Sequence, residues 1–206
     1  NGGTATYIGG TGTTTLAFSY TPAAGQDVAD LKADANNALA LNGGTIKDAA
    51  GNAVLANVFD ALDPTGSLAV DVTAPTLTAT LVGDNNKTAA EATDTGGVLS
   101  ITAENGSAVA VTLTGTGGFV AKTLTGTGSA QLIKLSAGEL TTLGDGAVTV
   151  VTTAKDAAGN VSTSTGGAFT LDTIAPAAGT LSLQNFSDTG SSSSDFISSD
   201  NTFNLN

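Results

Sequence analysis

Two short segments occur twice, in the same order. Lys47-Asp48-Ala49-Ala50-Gly51-Asn52 precedes Val70-Asp71-Val72-Thr73-Ala74-Pro75, and Lys155-Asp156-Ala157-Ala158-Gly159-Asn160 precedes Leu171-Asp172-Thr173-Ile174-Ala175-Pro176. Unrelated segments recurring in register mark tandem copies of one module, with the Asp-x-x-Ala-Pro segments as joints. Proline fixes its own φ and drives the preceding residue into extended backbone, so each joint reads as a short, stiff, non-helical connector. Three pieces follow: residues 1–72, a first module that reads as lacking its opening strands; 73–173, a complete module; and 174–206, the opening strands of a third.

Small cores fit the composition better than one large one. The 206 residues include no Cys, Met, Trp or His and only 4% aromatics, which leaves aliphatic side chains to form any core. The net charge is −12, from 18 acids against 6 lysines with no arginine. Such a surface repels phosphate and offers no basic patch or stacking platform, which argues against nucleic-acid binding and against anionic membranes. No run of about 18 apolar residues is present to insert in a bilayer, and no basic region followed by an apolar one opens the chain.

The period-two pattern at Leu16, Phe18 and Tyr20 predicts a strand in the first module. Val28, Leu31 and Ala35 allow a short helical turn within 22–37. A strand is expected at Ala38–Leu41, a turn at Asn42-Gly43-Gly44, a loop at Lys47–Asn52 and a strand at Leu68–Val72. Val54–Asp63 is an apolar excursion absent from the second copy, since 19 positions separate Asn52 from Asp71 but 12 separate Asn160 from Asp172.

Seven strands are expected in the complete module: Leu77–Val82, Val98–Glu104, Ala108–Thr114, Phe119–Leu124, Ala130–Leu135, Ala147–Ala154 and Val161–Leu171. Alternation is clearest at Val109, Val111 and Leu113 and at Val148 and Val150, interleaved with Thr or Ala. Strands at roughly ten-residue spacing with Gly-containing turns are the pattern of an immunoglobulin-like sandwich, so the fold class expected is all-β. A β-solenoid competes for a Gly/Thr-rich acidic chain, but the Gly-Gly-x-Gly-x-Asp repeat never appears.

The recurring joints, the Lys-Asp-Ala-Ala-Gly-Asn turns, Leu39–Asp48 and the run Asp188-Thr189-Gly190-Ser191-Ser192-Ser193-Ser194-Asp195 together resemble the bacterial Ig-like tandem repeats of giant secreted surface adhesins. The resemblance covers nearly the whole chain. It implies Ig-like β-sandwich domains joined by short Asp-x-x-Ala-Pro linkers, with calcium at the junctions. It also implies neighbouring repeats as partners, and a rod-like stalk on a secreted, extracellular, cell-surface protein of adhesion or biofilm.

Carried onto this sequence, the resemblance puts calcium at the first junction on Asp48 and Asp71, with Asp84 or Asp94 from the following module. At the second it puts calcium on Asp156 and Asp172, with Asp188, Asp195 and Asp200. Chemistry agrees in kind, because a hard cation takes about six to eight oxygens and carboxylates, Asn and carbonyls in loops supply them. The competing reading for Asp48 and Asp156 is an Asx-turn closing its own loop, and for Asp188 to Asp200 a solvated acidic loop.

Catalysis is not expected. His and Cys are absent, and no Gly-x-Ser-x-Gly elbow or phosphate-cradling loop occurs. Alternatives to the spacer are a filament or surface-layer subunit packing laterally, or a ligand- or ice-binding module using Thr-rich faces.

Overall fold

A computed structural model describes residues 2–36, 38–55, 62–63 and 65–180, together with the backbone of two short strands at 183–184 and 204–205. The chain divides into two compact units, 1–172 and 173–206. Within the second unit β11 (Leu183–Gln184) pairs antiparallel with β12 (Asn204–Leu205).

The first unit is built of strands and two short helices. β1 (Thr6–Gly9) pairs antiparallel with β2 (Ala17–Ser19), and the rings of Tyr7 and Phe18 meet edge to face with centroids 5.7 Å apart. β2 is the strand expected around Phe18. Val28 and Val70 exchange both backbone hydrogen bonds at 2.8 Å, and Leu31 N donates to the Leu68 carbonyl. That exchange overturns the expected helical turn within 22–37: these amides are committed to partners 42 and 37 residues away instead of to the next turn. The strand expected at Leu68–Val72 contracts to the single bridge at Val70. Ala38–Leu41 is irregular where a strand was expected, because the chain reverses at once through Asn42 and Gly43, both at positive φ. The turn expected there is present, closed by Gly44 N on the Leu41 carbonyl at 2.7 Å. Most of the Val54–Asp63 excursion lies outside the described residues.

Residues 77–172 carry the core. Their strands are β3 (Leu77–Leu81), β4 (Asn86–Thr88), β5 (Leu99–Ala103), β6 (Ala108–Thr114), β7 (Phe119–Thr125), β8 (Gln131–Ile133), β9 (Gly146–Lys155) and β10 (Val161–Asp172). One sheet has three strands in the order β3-β5-β8, and the other has five in the order β4-β10-β9-β6-β7. All pairings are antiparallel except β4 with β10, which run parallel with Thr170 opposite Asn86.

Alternation decides the packing. Leu99, Ile101 and Ala103 from the smaller sheet and Val109, Val111, Leu113, Val148 and Val150 from the larger are buried in one common core, while the residues between them in each strand are half-buried in β5 and exposed in β6 and β9. Each fully buried Val or Leu contributes about 1.5–3 kcal/mol. Every buried apolar residue of that core falls between Ala92 and Leu171. Gly166 lets β3 pass close over β10, since a Cβ there would stand 3.2 Å from Ala79 Cβ and 3.3 Å from Val150 Cγ1.

Two helices interrupt the strands. α1 (Ala89–Thr93) is started by a capping box of Thr88 and Glu91, and α2 (Ala137–Leu143) by one of Ser136 and Glu139. α2 buries Leu140 and Leu143 against the core. Lys122 on β7 reaches Glu139 at 2.8 Å. Among the described residues no helix is long and apolar enough to cross a membrane.

Candidate functional site: the first joint

The two Lys-Asp-Ala-Ala-Gly-Asn turns share one conformation. Asp48 N and Asp156 N each donate to the carbonyl of the Asn four residues on, at 3.0 and 3.1 Å. In return Asp48 Oδ1 and Asp156 Oδ1 each take the backbone N–H of that Asn at 2.8 Å. The second carboxylate oxygen of each Asp accepts from the Asn Nδ2, at 2.8 Å in the first turn and 2.9 Å in the second. Gly51 and Gly159 sit at φ of 90° and 103°, conformations open to glycine and strained for other residues. Both aspartates therefore close their own loops as Asx-type turns. The Asn side-chain amide leads in holding both carboxyls below the ordinary carboxylate range, with the Asn backbone N–H adding to it.

The second turn also bonds the joint. Asn160 Nδ2 donates to the Asp71 carbonyl at 3.1 Å and lies 3.4 Å from Asp71 Oδ1, 89 residues earlier in the chain. Two residues on, the Ser162 hydroxyl donates to the Pro75 carbonyl. Pro75 is buried. Along the same stretch Asp27 takes Val72 N at 2.6 Å and the Thr73 hydroxyl, and these two bonds, the hydroxyl's first, lower its carboxyl's affinity for protons. Glu104 takes part too: Thr76 N lies 3.4 Å from its Oε2, and its own N donates to the Thr76 carbonyl at 3.0 Å.

This arrangement redistributes the acids anticipated at the junctions. Asp156 and Asp172 were expected together, but the whole of β10 lies between them, about 36 Å at 3.3 Å per residue. The Asp156 turn instead meets Asp71. The reason is directional: a turn that precedes a strand of full module length stands at the end opposite the joint that follows it. Asp84 and Asp94 were expected beside Asp71 and fall away from it. Asp84 precedes Asn85, whose carbonyl takes Thr170 N near the tail of β10. Asp94 caps α1 beside Gly97, at the Leu81–Leu99 end of the β3–β5 pair, whereas the joint enters at Leu77. Asp48 bonds within its own turn, accepting from Ala50 N, Asn52 N and Asn52 Nδ2. Asp188, Asp195 and Asp200 lie outside the described residues.

Sequence reasoning passed over Asp27, Glu104 and Asn160. Glu104 was reachable, since pairing Leu77–Leu81 with Leu99–Ala103 as neighbours puts it at the joint. Asp27 carries no signal of its own, because it reaches the joint only through the Val28–Val70 bridge.

As a cation site the joint fits in type and falls short in number. The Nδ2 of Asn160 stands among the Asp71 carbonyl, Asp71 Oδ1 and Asp156 Oδ2, and turning that amide over would add its own oxygen to the same spot. Calcium takes about six to eight oxygens, so solvent or the Asp27 and Glu104 carboxylates would have to complete it. Among the described residues no three acidic side chains stand close enough to hold a metal ion.

A second surface stands out by its lack of charge. On the outer side of the five-stranded sheet, the pairings align Phe119, Thr114, Thr149 and Ala168 in one row and Ala121, Thr112, Val151 and Thr165 in the next. Thr123, Ala110, Thr153 and Thr163 form a third. All but Thr153 are exposed, and none is ionisable.

Compared with known proteins, the chain matches no family model, no curated protein and no solved structure.

Proposed function

We propose that the chain is a run of extender repeats from the stalk of a large bacterial cell-surface adhesin, secreted and held rigid by calcium at its joints. In this reading residues 73–173 are an Ig-like sandwich of sheets β3-β5-β8 and β4-β10-β9-β6-β7, and the Asp-x-x-Ala-Pro segments are its linkers. What carries the reading is the bond from Asn160 to Asp71, which makes the turn of one module and the joint before it a single unit. A passive spacer needs such a unit, because swivelling is the default between modules that share little interface.

Calcium would be held by Asp71, Asp156 and Asn160, with solvent supplying the remaining oxygens. It would neutralise the Asp71 and Asp156 carboxylates, which flank the Asn160 amide. At free calcium about ten times Kd, each such site adds about 1.4 kcal/mol of stability. The test is small-angle scattering with thermal melting, in chelator and in millimolar calcium. A stiffer particle and a higher melting temperature are expected; superimposable curves in both measurements overturn the calcium mechanism.

One observation favours a second reading, a filament or surface-layer subunit. In a chain of net charge −12 the uncharged Thr/Ala/Val face is where two copies can approach with least repulsion. Its twelve aligned positions at about 4.8 by 6.8 Å span about 400 Å², half of the roughly 800 Å² per partner of a stable interface, so the spacer is preferred.

A further inference from the structure

Strand β10 is fastened to the entering chain at one end and forms the exit at the other. At its head, Asn160 and Ser162 bond the carbonyls of Asp71 and Pro75. At its tail β4 runs parallel to it, Thr170 N donating to the Asn85 carbonyl at 2.7 Å, and Asp172 is its last residue. Between them Gly166, Phe169 and Leu171 are buried, and β9 pairs along nearly its whole length. Lys87 of β4 is 4% exposed, and its ammonium donates to the Val82 carbonyl at 2.5 Å. A lysine that deep inside an acidic, lysine-poor chain needs a reason, since burying its charge is costly. Here it pins the crossover through which the chain leaves the small sheet and joins β10.

We propose that β10 is the module's tension member: a pull applied along the chain passes from the joint into the head of β10 through Asn160 and Ser162 and leaves at Asp172. The β4 and β9 ladders are then loaded in shear, all bonds sharing the force, instead of being peeled one at a time. Lys87 is the latch that keeps β4 on the tail. The biological use of such a member rests on the stalk reading, while the mechanics belong to the module alone.

Single-molecule pulling tests this directly, and the absence of cysteine lets handles be placed uniquely. The full chain is pulled lengthwise through Ala74→Cys and Ala175→Cys, and crosswise through Ala108→Cys and Thr125→Cys, which face each other across the β6–β7 pair. Rupture under force is governed by the unfolding rate in the pulling direction, so lengthwise force should exceed crosswise force at least about twofold. Lys87→Met should lower the lengthwise force while leaving the crosswise force in place. Val148→Ala, a core change on β9 that removes packing and leaves Lys87, Asn160 and Ser162 in place, should lower both together. Equal forces in the two directions, or a Lys87→Met effect that matches Val148→Ala, overturn the proposal. If Lys87→Met does not fold, Ser162→Ala must show the same directional loss or the idea fails. High lengthwise force without any response to calcium keeps the tension member and sinks the calcium stalk; calcium stiffening with low lengthwise force does the reverse.

Discussion

The side-chain amide of Asn160 stands 2.9 Å from Asp156 Oδ2 and 3.1 Å from the Asp71 carbonyl, so one residue closes its own turn and grips the joint. Asn52 has the same place in the first turn. Asn160→Ala should therefore cost more than Asn52→Ala. Losing side-chain bonds of this kind costs about 1 kcal/mol each, and urea titrations of the two variants read the difference. Limited proteolysis should cut Asn160→Ala within 71–76 faster than the parent chain; equal cutting would place the grip elsewhere.

Acid should loosen the joint before it unfolds the core. Asp27 is held below the ordinary range by the Thr73 hydroxyl and then the Val72 N–H, and Asp156 by Asn160. A folded pKa lower than the unfolded one stabilises fully above the unfolded value, about 3.9, and the benefit is lost as pH falls through the lowered folded value. Melting temperature should thus hold steady at neutral pH and drop below about pH 4. Asp27→Asn and Asp156→Asn should each flatten that drop. A melting temperature independent of pH between 5 and 2 contradicts these bonds.

Thr152 lies on the core face of β9 with its hydroxyl buried and unpartnered. Replacing it by the near-isosteric Val removes a desolvated polar group without changing volume much. Thr152→Val should add about 1 kcal/mol and raise the melting temperature by about 4 °C for a domain of this size. A fall in stability would mean the hydroxyl has a partner.

The capping box of α2 is open to the same kind of check. Ser136 accepts Glu139 N, and Glu139 also holds Lys122; burial alone would raise the Glu139 pKa, and the Lys122 bond with the Ser136 N–H outweighs it and lowers it. Ser136→Ala should cost about 1 kcal/mol. Glu139→Gln should cost at least as much, because it weakens the cap and the Lys122 pair together.

On the uncharged outer face, Val151→Lys should leave folding intact, since Val151 is 42% exposed. If the chains pack laterally, sedimentation of the parent at high concentration will show association that Val151→Lys removes. Identical, concentration-independent sedimentation of both leaves the lateral reading without support.

Strands within 77–172 were legible because apolar and β-branched residues alternate there: Val109, Val111 and Leu113 are buried, and the Ala and Thr between them are exposed. The helices were missed although Thr88-x-x-Glu91 and Ser136-x-x-Glu139 both spell a capping box, because helices of 5 and 7 residues show no apolar period. β4 was invisible for a similar reason: Asn86-Lys87-Thr88 is wholly polar, and its pairing is set by β10. The first 72 residues resisted reading because none of the described ones joins the apolar core. Of the candidate site, the motifs were visible but their partners were not. The acids could be named, yet which turn meets which joint depends on the direction of β10.

The order of the larger sheet leaves it with two unequal rims. β4 is three residues long and followed at once by α1, which gives another chain little backbone to pair with. β7 is seven residues long, Phe119–Thr125, and ends the sheet on the other side. Rims of that length recruit foreign strands unless a charge interrupts them, and Lys122, tethered to Glu139, is the one ionisable residue in β7. The danger of two copies of the chain pairing strand to strand is concentrated on that rim, and a single lysine stands guard over it.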